Sequence, residues 1–307
     1  MDIQRRRFLQ ATTAVASLPF FGGLTGCMPD TGTRAPALRG TFNIGICDWD
    51  MYTEGDPGSF AIAKELGFDG VEVTYDPLGE YSLSRPENRR LFLETAASES
   101  MKIPSFAMGI LNTLPLATDD RTEGWVADCI EAMVEMNVKM VLLPFFANAD
   151  IKTNLADRNK AIEILKRLAP LAEANNVILG LESFLDAEQY FAMLDQIGSD
   201  AVMVYYDVQN MFFRENFAFQ DFPIYDDLEK LLREKVVCQI HCKENYALLG
   251  HGVVDFPRVR GLLERHDYRG DWLIAETFPW SKVGEDGDWK GVLRADAVFL
   301  RETFNRG

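Results

Sequence analysis

The sequence predicts an α/β fold, a single (β/α)8 TIM barrel, and three observations carry that reading. From Thr41 onward, short β-branched apolar runs alternate eight times with longer segments of helical period. The apolar runs show little polar alternation, as parallel strands covered on both faces should. No linker or shift in composition interrupts residues 41–307, so they form one domain of ordinary barrel length.

The expected strands are 42–47, 70–75, 103–107, 139–145, 177–182, 201–207, 236–242 and 272–276. Helical stretches fall near 58–66, 86–100, 121–136, 155–175, 187–197, 224–234, 256–265 and 288–304. Pro57-Gly58 opens the first helix, and Ser84-Arg85-Pro86-Glu87 supplies a cap, a first-turn proline and a first-turn acid for the second. Asn175-Asn176 closes the fourth helix, while Gly67 and Gly198 close others through the left-handed conformation glycine adopts freely. An open doubly wound sheet is the alternative, but Ile44-Gly45-Ile46-Cys47-Asp48 is no dinucleotide turn and no GxxxxGK[ST] occurs. NAD and ATP therefore have no sequence support.

The N-terminus reads as targeting. Arg5-Arg6-Arg7-Phe8-Leu9 precedes an apolar stretch from Ala11 to Gly26, too short and mild for a permanent span. The paired arginines resemble a twin-arginine export signal, and Leu24-Thr25-Gly26-Cys27 resembles a lipobox with Cys27 as the lipidation site. Residues 1–26 are expected to be the signal and 27–40 a polar tether, placing the barrel in the periplasm or cell envelope. Membrane association is expected only through the N-terminal lipid.

The 307 residues hold 31 Lys and Arg against 47 Asp and Glu, a net charge of −16. Residues 1–26 contain three arginines and one aspartate, so the rest carries 28 basic and 46 acidic residues, a net of −18. That acidity excludes a nucleic-acid partner and disfavours large phosphorylated substrates. Cys47, Cys129, Cys238 and Cys242 show no zinc spacing and read as buried thiols; Cys238 and Cys242, four apart in one strand, are expected to share a face.

The chemistry lies at strand ends. Strand five ends at Glu182, strand six at Asp207, strand seven at His241 and strand eight at Glu276, with spacings of 25, 34 and 35 residues. Strand ends converge on one barrel mouth. Three carboxylates crowded there repel unless a cation joins them, and this oxygen-rich set with one nitrogen suits one divalent ion: Mn, Mg, Co, Fe or Zn.

Further motifs accompany these ends: Phe68-Asp69-Gly70-Val71-Glu72-Val73, Gly180-Leu181-Glu182, Asp207-Val208-Gln209-Asn210, His241-Cys242-Lys243-Glu244, Gly250-His251-Gly252, and Tyr268-Arg269-Gly270-Asp271-Trp272 leading to Glu276. Together they resemble the xylose-isomerase-like TIM-barrel superfamily, in its sugar phosphate isomerase/epimerase branch. The resemblance implies one divalent metal on Glu182, Asp207, His241 and Glu276, with the two glutamates also moving the proton. It implies a substrate contact at Glu188. Ketose 3-epimerases, hydroxypyruvate isomerases and inosose dehydratases enter as candidates. Asn210 stands where the epimerases have histidine, and Ala247 where they have arginine. Only three histidines exist, too few for the multi-zinc DNA-repair branch.

The expected reaction is isomerisation or epimerisation of a sugar or keto-sugar, by proton abstraction beside a carbonyl through a metal-stabilised enediolate. A lyase or dehydratase on a keto-sugar or keto-inositol, or a non-catalytic carbohydrate-binding lipoprotein, are the alternatives. Candidate substrate contacts are Glu72, Glu188, Asn210, Lys243, His251 and Trp280. Glu72 could instead orient a base or hold structure, Lys243 could neutralise an oxyanion or pair with Glu244 or another carboxylate, and His251 could reach substrate or pack its loop. Residues 210–223 carry five phenylalanines in fourteen residues, a sugar-binding mouth or lid, a small satellite core or an oligomer contact.

Overall fold

A computed structural model of the protein describes residues 42–210, 224–244, 247–279 and 287–305. The expectations for residues 1–40, Cys27 among them, for most of the phenylalanine-rich stretch and for Trp280 fall outside the described residues.

Eight strands close into a parallel barrel in sequence order. They are β1 (Asn43–Cys47), β2 (Gly70–Thr74), β3 (Phe106–Ala107), β4 (Met140–Phe145), β5 (Ile178–Ser183), β6 (Val202–Asp207), β7 (Val237–Lys243) and β8 (Trp272–Glu276). The intervening helices are α1 (Ser59–Leu66), α2 (Pro86–Glu99), α3 (Thr122–Met136), α4 (Leu155–Asn175), α5 (Ala187–Ile197), α6 (Ile224–Arg233), α7 (Phe256–Arg265) and α8 (Trp289–Asn305). Closure pairs Asn43 with Trp272 and Ile46 with Ala275. Asn305 locks the end of α8 to the barrel's start, its amide accepting from Phe42 N at 2.7 Å and donating to Phe42 O at 2.8 Å.

Side chains alternate across each strand, one set inward and the other toward the helices. The outward set, including Ile44, Val71, Val141, Leu179, Val204, Ile240 and Leu273, joins the helices in one buried core. Inside the barrel, glycine makes room for the bulky residues of β8. A Cβ on Gly45 would lie 2.6 Å from the Ile274 side chain, and one on Gly70 2.7 Å from the Trp272 ring.

Helix punctuation follows the sequence. Gly67, Asn176 and Gly198 take left-handed conformations as the C-caps of α1, α4 and α5. Three local expectations change. β3 spans two residues rather than five, because Pro104 has no N–H for the ladder and leaves only a lone Gly70–Lys102 bridge before it. Ser84 does not cap α2: Arg85 is the N-cap without a side-chain bond, and Ser84 Oγ pairs with Ser82 Oγ at 2.8 Å. Cys238 and Cys242 do not share a face. A register shift against Val204/Tyr205 breaks the alternation of β7. Cys238 therefore packs with Ala107, Leu142 and Tyr205, whereas Cys242 joins the helix-facing core. All four described cysteines are free and buried.

Candidate metal centre

Glu182, Asp207, His241 and Glu276 lie at, or within two residues of, the carboxyl ends of four successive strands, and the barrel brings them together. One ligand atom from each lies within 4.8 Å of all the others, and all four residues are buried. His241 Nδ1 stands 3.5 Å from Glu182 Oε1 and 3.2 Å from Glu276 Oε2. Neither Nδ1 nor Asp207 Oδ2 has a hydrogen-bond partner, although both are buried. Buried polar atoms normally find partners. Two that converge without one, among carboxylates, fit a divalent cation.

The electrostatics agree. Burial pushes the Asp207 carboxyl up to about 8 and raises Glu182 as well. Burial acts the same way on Glu276, but Lys243 and His241 outweigh it and hold that carboxyl below the usual range. Burial would lower His241; the surrounding Tyr205, Cys47, Glu72 and Glu182 outweigh it and hold the imidazole well above its ordinary value. The cluster thus retains protons that a cation would displace.

Several residues expected to contact substrate bond to the cluster itself. Glu72, fully buried on β2, faces the far side of the imidazole, its Oε1 2.9 Å from His241 Nε2. It is enclosed in the barrel rather than presented at the mouth. Asn210 donates from Nδ2 to Glu182 Oε1 at 2.9 Å, and its backbone N–H and that of Gln209 both donate to Asp207 Oδ1. Lys243 donates to Glu276 Oε2 at 3.0 Å, lies 3.7 Å from Asp207 Oδ2 and sits over the Phe278 ring at 4.4 Å. The carboxylates it meets are thus Glu276 and Asp207 rather than Glu244, which receives Gln209 Nε2 and the backbone N–H groups of Val253 and Val254.

Two expected contacts are not gathered into the cluster. Glu188, in the first turn of α5, is 74% exposed and pairs with Lys230 of α6 at 3.0 Å. A first-turn position on an outer helix directs it to its neighbour helix, which spacing from Glu182 does not reveal. His251 lies exposed in the loop after β7.

The sequence reading passed over other members. Asp48 and Asp50 follow β1 in a 3-10 turn (Asp48–Met51) and are both fully buried. Asp48 holds Thr74 through its N–H and hydroxyl, and Asp50 receives Thr277 N and Phe278 N just past Glu276. Their position at a strand end was the available signal. Tyr205 and Gln239 precede Asp207 and His241 by two residues and so share their inward face, a pattern also open to a sequence reader. The His241 ring is flanked edge-on by Tyr205 at 4.6 Å and Trp49 at 6.3 Å. Phe146 and Phe184, each following a strand, meet edge to face at 4.8 Å.

A closed eight-stranded barrel with an acid–imidazole cluster at the carboxyl ends of β5 to β8 defines a TIM barrel with a candidate divalent-metal centre at its mouth. The chain belongs to the xylose isomerase-like TIM barrel family, whose model matches residues 60–303. It is 26% identical over 259 residues to an L-ribulose-5-phosphate 3-epimerase of Salmonella heidelberg (strain SL476), covering 77% of this chain and 89% of the relative. Among solved structures it resembles a D-psicose 3-epimerase with D-tagatose from Clostridium cellulolyticum H10 (TM-score 0.68, 16% identity, 86% of this chain and 100% of that one). It likewise resembles a xylose isomerase-like TIM barrel protein from Mycobacterium smegmatis in complex with magnesium (TM-score 0.66, 18% identity, 86% and 97%).

Proposed function

We propose that the protein is a metal-dependent isomerase or epimerase acting on a sugar or keto-sugar by moving the proton beside a carbonyl. The observation that carries this reading is the pair Glu182 and Glu276, on strands three apart in the barrel, converging on one buried space with Asp207 and His241. Glu182, Asp207, His241 and Glu276 would hold the cation, which supplies Lewis-acid polarisation of a neighbouring carbonyl. Each glutamate is oriented by its own donor, Glu182 by Asn210 and Glu276 by Lys243, so each can take or return a proton from a fixed direction. Trp49, Phe146, Phe184 and Phe278 stand half-buried in loops that follow strands, where aromatic surface suits the apolar face of a sugar. The epimerase names of the relatives support the same reading.

The mouth also bears on substrate charge. In the described loops that follow the strands, thirteen acidic residues face three basic ones, Arg85, Arg121 and Lys152. Arg85 bonds to carbonyls of its own loop and Arg121 to Asp119. Residues 211–223 and 280–286 add four acidic and two basic residues by sequence. A phosphate dianion is repelled by such a field, so the substrate here is a free or oxidised sugar, unlike that of the L-ribulose-5-phosphate enzyme. Export by the twin-arginine route and anchoring through Cys27 belong to the same proposal, because sugar phosphates are largely cytoplasmic.

The test is solvent deuterium incorporation at the carbon beside the carbonyl, across free and phosphorylated ketoses, with and without chelator. Metal-dependent exchange into free ketoses is expected. Absence of exchange from every ketose with metal loaded would overturn the reading.

A further inference from the structure

We infer that the end of the barrel opposite the metal cluster carries a second binding site, a cavity suited to a single-chain anionic amphiphile of the fatty-acid class.

The cavity lies at the amino ends of the strands, where the entries to β3 through β8 surround a volume of about 930 Å³. That is the size of a small-molecule site. Gln239 closes its inner end, with Nε2 2.9 Å from Ser105 Oγ and 2.7 Å from Tyr205 OH. This buried layer stands between the cavity and the four-residue cluster, so the two sites are separate.

The apolar part of the lining favours an alkyl chain. The first residues of β5 and β8, Ile178 and Trp272, stay half-buried at the cavity wall, as do Met140 of β4 and Met203 of β6. Met101 and Met136 join them, so four of the chain's eleven methionines line one cavity. Unbranched thioether side chains repack readily around a flexible guest.

The charged part fixes the sign of the head group. Lys102, Lys139 and Lys235 line the same cavity and are exposed at its rim. Lys64, Lys166, Lys230 and Lys290 each meet a carboxylate. The three rim lysines have no ion pair or hydrogen bond among the described residues, although the chain carries a net charge of −16. Arg269 and two aspartates complete the charged lining, and Arg269 pairs with Asp267. Four cations against two carboxylates make this cavity locally positive, the reverse of the acidic mouth at the other end.

Two other occupants fit less well. The helices around the cavity, α2 to α5, place Glu99, Glu135, Glu173 and Asp195 in their last turns and no basic residue there. A broad anionic bilayer meets that acidic ring, whereas a single head group reaches the lysines inside it. Residues 28–41 precede Asn43, itself on the cavity wall, but they carry Arg34 and Arg39 against Asp30, the wrong sign for three lysines.

The experiment uses the full chain with chelator present, so its outcome does not depend on the cation reading. The probe is 9,10-dibromostearate below its micelle concentration, whose bromines quench a tryptophan they touch. Wild type should show saturable quenching at one site per chain. Trp272→Phe should lose that quenching while calorimetry still detects the ligand. Lys102→Gln, Lys139→Gln and Lys235→Gln combined remove three exposed charge contacts and should weaken binding about 3- to 100-fold. Dodecyltrimethylammonium, a chain with the opposite charge, should not bind. Absence of saturable binding to wild type, wild-type quenching in Trp272→Phe, or wild-type affinity in the triple lysine variant would overturn the inference. Equal binding of the cationic amphiphile would do so too. A disulfide formed between Leu38→Cys and Met203→Cys in the full chain would assign the cavity to the chain's own tether and likewise overturn it.

Discussion

Glu72 and His241, 169 residues apart in the chain, meet at 2.9 Å inside the barrel, with neither side chain open to solvent. The contact turns one face of the imidazole to a carboxylate and the other to three more. One ring thus divides the polar interior into a supporting side and a reactive side, and most of the expected behaviour follows from that division.

Metal content is the first consequence. The purified protein should hold about one divalent ion per chain. His241→Ala removes the single nitrogen from the four-residue cluster and leaves three carboxylates to repel one another. Elemental analysis should find the variant largely metal-free, and equal content in both proteins would rule the site out.

Proton transfer separates from metal binding at the glutamates. Glu182→Gln and Glu276→Gln keep an oxygen ligand but remove the charge that takes the proton. With metal in excess, each should exchange the substrate proton about 10²- to 10⁴-fold more slowly than wild type. Exchange at the wild-type rate after reloading would make both residues ligands only.

Metal affinity should rise with pH. Asp207, pushed up to about 8, and His241, held above its ordinary value, both carry protons that a cation must displace. Each displaced proton gives about a tenfold gain in affinity per pH unit below the group's own value, and the gain flattens above it. Titration calorimetry in buffers of different ionisation heat would count the protons released; zero release at pH 7 contradicts the assignment.

Stability should carry the opposite slope at Asp48. Burial pushes this carboxyl from 3.8 up to about 7. A carboxyl raised by folding stabilises the folded state fully below its unfolded value, and that contribution is lost as pH climbs through the folded one. Asp48→Asn can keep an acceptor for the N–H groups of Thr74 and Gly55 while never ionising. From pH 4 to 8, wild type should lose stability relative to this variant, by at most roughly 4 kcal/mol. Urea midpoints that keep a constant difference across the range would refute it.

Export is tested in cells. Arg5→Lys with Arg6→Lys should leave the precursor in the cytoplasm, and Cys27→Ala should yield a soluble, unlipidated form. Fatty-acid labelling of the Cys27→Ala protein at the wild-type level would exclude Cys27 as the lipid site.

The sequence by itself determined the strand–helix rhythm, because burial on two faces demands continuous apolar runs and helices demand a 3.6-residue period. It also determined the four strand-end residues, since a barrel turns regular spacing along the chain into convergence in space. Alternation failed where backbone geometry intervened: Pro104 shortened β3, and the shifted register of β7 sent Cys238 and Cys242 to different faces. The partners of Glu72, Asn210 and Lys243 were decided only by the tertiary structure. Each carries a polar group in or just past a strand, which serves equally well for substrate or for support. Only closure of β1 onto β8 sets which group lies within hydrogen-bond reach of which, and at 2.9 to 3.0 Å that reach brings all three against the cluster.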